Sequence, residues 1–216
     1  MKRILYVILF LAGVCTSVEA QVSIGPKLFL NLSNAVGGDN GTVNKFKLGY
    51  SAGAFLKIDI NDQIFFEPEA LYSVRGFKYS STFGNRDTSL RHRMSYIDFP
   101  FLIGMNVGGK GFLNVGPQIG YLVNDRSKGV ISNSSSSRNI DTSNVYGYST
   151  TEYAIAFGGG YNFPYHLKVA LRGIYGLTQL FTKTKGTHNL AFGIAVSYSF
   201  GDDEKGKGGG MVYRKL

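Results

Sequence analysis

Leu190-Ala191-Phe192-Gly193-Ile194-Ala195-Val196-Ser197-Tyr198-Ser199-Phe200 sets a large apolar or aromatic side chain at every second position, with only Gly, Ala or Ser between. A period of two predicts a β-strand with one apolar face. The other face decides what that strand is for. A solvated exterior carries many Lys, Glu and Thr, whereas Gly, Ala and Ser suit a crowded interior. The stretch therefore predicts a strand whose large side chains look away from the packed centre.

Seven further segments share this pattern. Val22, Ile24, Leu28, Leu30 and Leu32 alternate with Ser23, Gly25, Lys27, Asn31 and Ser33, and Leu48, Tyr50, Ala52, Ala54, Leu56 and Ile58 alternate with Gly49, Ser51, Gly53 and Lys57. Ile64, Phe66, Ala70, Tyr72 and Val74 are interleaved with Glu67, Glu69, Ser73 and Arg75, and Ile97 to Val107 with Tyr96, Asp98, Gly104 and Asn106. Leu113 to Val123, Tyr153 to Tyr161 and Leu167 to Leu177 complete the set. The connections alternate in length: the segments near 35–45, 79–92, 125–151 and 181–188 are long and polar, while those near 60–63, 108–111 and 162–165 are short. Outer-membrane barrels have this asymmetry, with long loops outside and short periplasmic turns. The expectation is an all-β fold, an eight-stranded antiparallel up-and-down transmembrane β-barrel.

Alternation by itself also fits a soluble lipocalin-like barrel that hides its apolar face around a ligand. The small residues between the large ones favour the membrane. The charges on that small-residue face carry both signs, and buried charges persist when paired. Glu67, Glu69, Asp98, Lys168 and Arg172, with Lys57 beside them, are therefore expected to form a structural charge cluster in the lumen. The 14 Tyr and 16 Phe of a chain without Trp supply interfacial girdles. Pro26, Pro68, Pro100 and Pro117 fall inside strands, where each removes a ladder hydrogen bond, so bulges or frayed pairing are expected at them.

Lys2 and Arg3 lead into the apolar run Ile4 to Val14, followed by Val18-Glu19-Ala20, which reads as a secretory signal cleaved before Gln21. The single cysteine, Cys15, lies within it, and Val14 is larger than the residue a lipidation motif wants at that position. Cleavage removes two cations and one carboxylate, lowering the formal charge from +9 to +8. In an exported chain with scattered basic residues, solvated loop charge is the simplest expectation, and the partner such charges favour is anionic lipid over nucleic acid. The domain organisation is then a signal peptide over 1–20, a barrel over 21–200 and a Gly-rich, charged periplasmic tail over 201–216.

No cofactor and no metal ligand set is expected. His92 and His188, with Ser89, Ser95 and Asp87, are the residues to weigh as an outer-membrane hydrolase or acyltransferase centre at the outer rim, but no motif fixes their spacing. A solvated role is the simpler reading, and His166 beside a short turn invites no other. No enzyme is expected.

Six motifs in order resemble the Bacteroidetes outer-membrane β-barrel domain known as PorT-like or porin family. They are Gly25-Pro26-Lys27-Leu28 with Asn31 and Ser33, Phe66-Glu67-Pro68-Glu69, Tyr96-Ile97-Asp98-Phe99-Pro100, Gly116-Pro117-Gln118-Ile119-Gly120-Tyr121, Gly158-Gly159-Gly160 and Tyr175-Gly176-Leu177-Thr178-Gln179-Leu180. The resemblance implies an outer-membrane barrel of this size whose members mostly lack an assigned activity, and one branch is linked to type IX protein secretion. Barrels of this kind end on an aromatic residue, here Phe200, and this chain runs on to Leu216. Two functions stay open at this point: a structural or binding barrel acting through its long loops or periplasmic face, and a narrow porin-like channel for small solutes. Outer-membrane lipid and lipopolysaccharide are the expected partners, with envelope proteins as further candidates.

Overall fold

The computed structural model describes residues 21–37, 44–83, 86–133, 136–143, 147–180 and 186–200. The expected signal sequence and the tail after Phe200 lie outside the described residues. Among the described residues there are nine strands: β1 (Val22–Val36), β2 (Asn44–Asp59), β3 (Ile64–Phe83), β4 (Arg86–Val107), β5 (Gly111–Asn133), β6 (Ser136–Ser143), β7 (Thr151–Asn162), β8 (Leu167–Gly176) and β9 (His188–Tyr198). Every pairing is antiparallel. The β1–β9 ladder, from Lys27↔Ser197 to Val36↔His188, closes the sheet on itself.

Eight of the nine strands form the ring. One edge of β5 carries two partners, β7 along Gly111–Tyr121 and β6 along Arg126–Asn133. The β5–β6 hairpin therefore continues the wall beyond the ring. The polar segments 79–92 and 125–151, expected to be loops, are strand over 79–83, 86–92, 125–133 and 136–143: the β3–β4 ladder runs on to Phe83↔Arg86 and β4–β5 to Arg86↔Asn133. The short turns lie where the alternation ends. Gly108 and Gly109 take positive φ angles of 62° and 83° in one of them, a conformation that glycine adopts without steric cost.

The large apolar side chains face outward. Leu48 is 72 % exposed and Leu171 70 %, whereas the inward Phe29 and Leu102 are 1 % and 0 % exposed. This exterior excludes the lipocalin-like alternative and is what a hydrocarbon solvent selects. Along β4 the apolar band runs from Ile97 to Val107, close to the length a tilted spanning strand needs. At the end bearing the long connections, Tyr72, Ile97 and Tyr121 are directly opposed in one row. At the end bearing the short turns, edge-on ring contacts join Tyr161 to Phe163 and Tyr198 to Phe200 at 5.0 and 5.1 Å.

Each in-strand proline sits at an interruption of one ladder while pairing on the other side. Pairs are missing around Pro26 towards β9, Pro68 towards β2, Pro100 towards β3 and Pro117 towards β4, and the register is the same on both sides of each gap. A residue without an N–H can only be tolerated in a closed wall where its neighbour does without that bond.

Candidate functional site

The interior of the ring is a packed polar core. Inward alternation on β1, β3 and β8 delivers Lys27, Glu67, Glu69 and Arg172, all buried. The Lys27 ammonium lies 2.6 Å from both Glu67 Oε1 and Glu69 Oε1. Arg172 donates two parallel bonds to Glu69, Nη1 to Oε2 and Nη2 to Oε1, each 2.6 Å. That bidentate geometry matches the planar fork of a guanidinium to a carboxylate. Lys168 stands beside this group with its ammonium 5.3 Å from the centre of the Phe55 ring, on which Lys27 also sits at 5.3 Å.

A second group lies nearer the long-loop end, separated along β3 by the buried Leu71 and Ser73. Arg75 Nη2 is 2.9 Å from Asp98 Oδ1 and 2.7 Å from Glu152 Oε2, and Asn189 Nδ2 donates to Glu152 Oε1 at 2.6 Å. The guanidinium carbon of Arg75 lies 4.4 Å from the centre of the Tyr96 ring. Gly120 makes this packing possible, since a Cβ there would stand 2.5 Å from Asp98 Oδ1.

Of the residues expected in one cluster, Glu67, Glu69 and Arg172 lie in the first group, Asp98 lies in the second, and Lys168 flanks the first. Lys27, Arg75 and Glu152, outside the expected set, hold the networks together. Inward parity identifies all three, because each occupies the small-residue face of its strand. A cavity of about 10 Å3, room for a single water, lies among Lys27, Glu67, Asn114, Lys168, Arg172 and Ser197.

Above Arg75 the long-loop end is roofed. Ala35, Phe77, Met94, Tyr96, Tyr148 and Leu180 form one buried apolar cluster. Tyr148 comes from the β6–β7 connection and Leu180 from the segment after β8. The two segments are tied by Ser149 N donating to Leu180 O at 3.0 Å and Ser149 Oγ to Gln179 O at 2.6 Å. His92 Nδ1 is 2.8 Å from both the Ser127 hydroxyl and the Tyr148 hydroxyl, and its ring stacks on Phe77 at 4.6 Å. Burial first, and then the Lys47 ammonium, lowers the pKa of His92, with Asp125 opposing them. Burial likewise pushes the Tyr148 phenol up to about 12.

The weighed hydrolase set does not assemble. Ser89, Ser95 and Asp87 sit on odd positions of β4 and His92 on an even one, so the strand turns them to opposite faces. His188 stacks on Tyr175 at 5.9 Å, and His166, at a positive φ of 62°, packs against Tyr198. His92 instead bridges two hydroxyls within a packed roof, an arrangement that pins Tyr148. Among the described residues no group of three or more His, Cys, Asp or Glu is placed to hold a metal ion.

Comparison with known proteins gives a family and a set of folds. Residues 16–182 match the family described as outer membrane protein beta-barrel domain. Among solved structures, OprG from Pseudomonas aeruginosa is 12 % identical, with 85 % of this chain and 97 % of that one covered and a TM-score of 0.48. The attachment invasion locus protein Ail of Yersinia pestis, in complex with the heparin analogue sucrose octasulfate, is 12 % identical over 83 % of this chain and 99 % of that one, with a TM-score of 0.46. Neisserial surface protein A is 12 % identical over 83 % and 97 % of the two chains, with a TM-score of 0.44. No curated protein matches the sequence.

Proposed function

Because this chain belongs to the outer membrane protein β-barrel domain family, we propose that it serves in the outer membrane as a sealed, non-catalytic barrel that carries a rigid β-sheet platform beyond the bilayer. One observation supports this best: the Lys27–Glu67–Glu69–Arg172 and Arg75–Asp98–Glu152 networks pack across the lumen, and the cavity beside the first has room for a single water. An eight-stranded ring encloses an interior that side chains can fill. Here they pack it with paired charges and cap it with Tyr148 and Leu180.

In this reading the long-loop end faces outward, as in other outer-membrane barrels. The extended β3, β4 and β5 with β6 then form the exposed part of the molecule, and binding through that sheet is its role. The cleaved signal over residues 1–20 delivers the chain to the envelope. The narrower PorT-like affiliation rests on the six ordered motifs, and with it stands the alternative of an accessory role in type IX secretion. A solute channel fits the packed lumen less well.

Liposome swelling tests the seal. Vesicles bearing the folded protein are expected to swell in a small sugar no faster than protein-free vesicles. Swelling that scales with protein content would overturn the reading in favour of a channel.

A further inference from the structure

The register of the platform stacks basic residues side by side. Lys78, Arg91 and Lys128 are directly opposed on β3, β4 and β5, and Arg93 opposes Arg126 one two-residue step nearer the apolar band. Directly opposed residues project from the same face of a sheet. Alternation along β4 puts Arg91 and Arg93, both exposed, on the same outer face as Ile97, Phe101 and Ile103. Lys47 joins them from β2. Its ammonium donates to the His92 carbonyl at 2.8 Å and lies 3.0 Å from where a Cβ would stand on Gly76, the residue opposed to Arg93. Burial, and then Arg93, Arg91 and Lys78, holds its pKa down to about 8.

Like charges directly opposed across a ladder destabilise it, so such a row calls for a counter-ion. Two acids share this region. Asp141 on β6 pairs with Arg126 at 2.7 Å and Lys128 at 3.2 Å, and Asp87 lies four residues beyond Arg91 on β4. Among the described residues, no ion pair with a carboxylate engages Lys47, Lys78, Arg91 or Arg93.

The position of the row says where its counter-ion comes from. Four residues separate Arg93 from Ile97 in the Tyr72–Ile97–Tyr121 girdle. That is about 13 Å along the strand and roughly 10 Å along the bilayer normal for a strand tilted by about 40°. This is headgroup depth, within reach of long cationic side chains. The row also lies on the lipid-facing side of the wall, so a soluble polyanion approaching it would meet the leaflet first. Two strand spacings by one two-residue step make a patch of about 10 by 7 Å, the size of one or two phosphate groups.

We propose that this basic patch is a binding site for the phosphate groups of an outer-leaflet glycolipid, held by Lys78, Arg91 and Arg93 with Lys47 and the Asp141-paired Arg126 and Lys128 around them. The proposal rests on the outer-membrane setting and outward orientation of the reading above but not on the sealed lumen, so a conducting barrel would leave it standing.

The test uses the full chain folded into phosphatidylcholine nanodiscs containing a minor fraction of bisphosphorylated diglucosamine lipid, or of the same lipid stripped of both phosphates. Retained lipid is counted by native mass spectrometry after detergent extraction. The phosphorylated form is expected to be retained about ten-fold over the stripped form, by an attraction of the kind that holds basic segments to anionic leaflets. Retention should fall as salt rises and drop to near parity in R91Q/R93Q, with heat-modifiable migration showing that the variant is folded. If the double variant does not fold, K78Q serves in its place. Equal retention of the two lipids, or retention unchanged in the variants, would overturn the proposal. So would Arg91-dependent binding of a soluble sulfated polysaccharide without retention of the phosphorylated lipid.

Discussion

Arg75 Nη2 serves two buried carboxylates, Asp98 and Glu152, at 2.9 and 2.7 Å. Removing the cation while leaving both acids in place strips the compensation from a buried pair, a change that costs on the order of 3–5 kcal/mol. Arg75→Met is expected to lower unfolding stability by that amount in urea titrations of vesicle-embedded protein, and the further changes Asp98→Asn and Glu152→Gln should restore part of it. Arg172→Ala should cost less, because Glu69 keeps Lys27 at 2.6 Å. Gly120→Ala adds only a methyl group, yet its Cβ meets Asp98 Oδ1 at 2.5 Å, so it should also destabilise, by about 1–3 kcal/mol as overpacking does. His92 predicts a pH dependence. Its pKa in the folded state lies below the ordinary 6.5, so the opened roof binds the proton more readily than the closed one. The contribution of His92 to roof stability is complete above that ordinary value and is lost as pH falls below it. Hydrogen-exchange protection of 147–150 and 177–180, corrected for intrinsic rates, should fall between pH 7.5 and 5 in the native protein and change less in His92→Gln. At this scale the sequence revealed the face but not the partners. Glu67, Glu69, Asp98 and Arg172 were legible as inward charges, but period two carries no information about which strand lies across the lumen. Glu152 was missed for a different reason, lying one residue before the apolar alternation of β7 begins.

At the scale of elements, alternation located every strand of the ring because lipid demands an apolar side chain at each outward position. Beyond the hydrocarbon that demand ends. The upper parts of β3, β4 and β5 carry Lys78, Arg91, Arg93, Arg126 and Lys128 outward, and their polar composition reads as loop although they hold a regular ladder. The prolines were legible for a chemical reason, their missing N–H, and the ladder is interrupted beside all four. Among the described residues the β5–β6 hairpin joins the ring through β5 alone, and β6 pairs with no other strand. Replacing 126–143 by a short linker is therefore expected to leave a folded barrel with heat-modifiable gel migration, while removing Ser127 from its 2.8 Å contact with His92 and loosening the roof. Loss of heat-modifiable migration would show instead that the hairpin is needed to close the ring.

At the scale of the molecule, the apolar exterior, the two girdles and ring closure through β1 and β9 make a transmembrane barrel, and ion-pair networks cross its interior. Fold class was open to the sequence because a single periodicity, repeated with small residues between large ones, specifies both strand and environment. Function was not, because the platform gives no alternation to read and the networks depend on which strands face one another. A sealed lumen carries no current, so single-channel recording in planar bilayers reads the seal itself. The native protein should give no conductance steps above the protein-free baseline. Regular steps from folded protein, abolished when it is boiled before reconstitution, would show an open lumen.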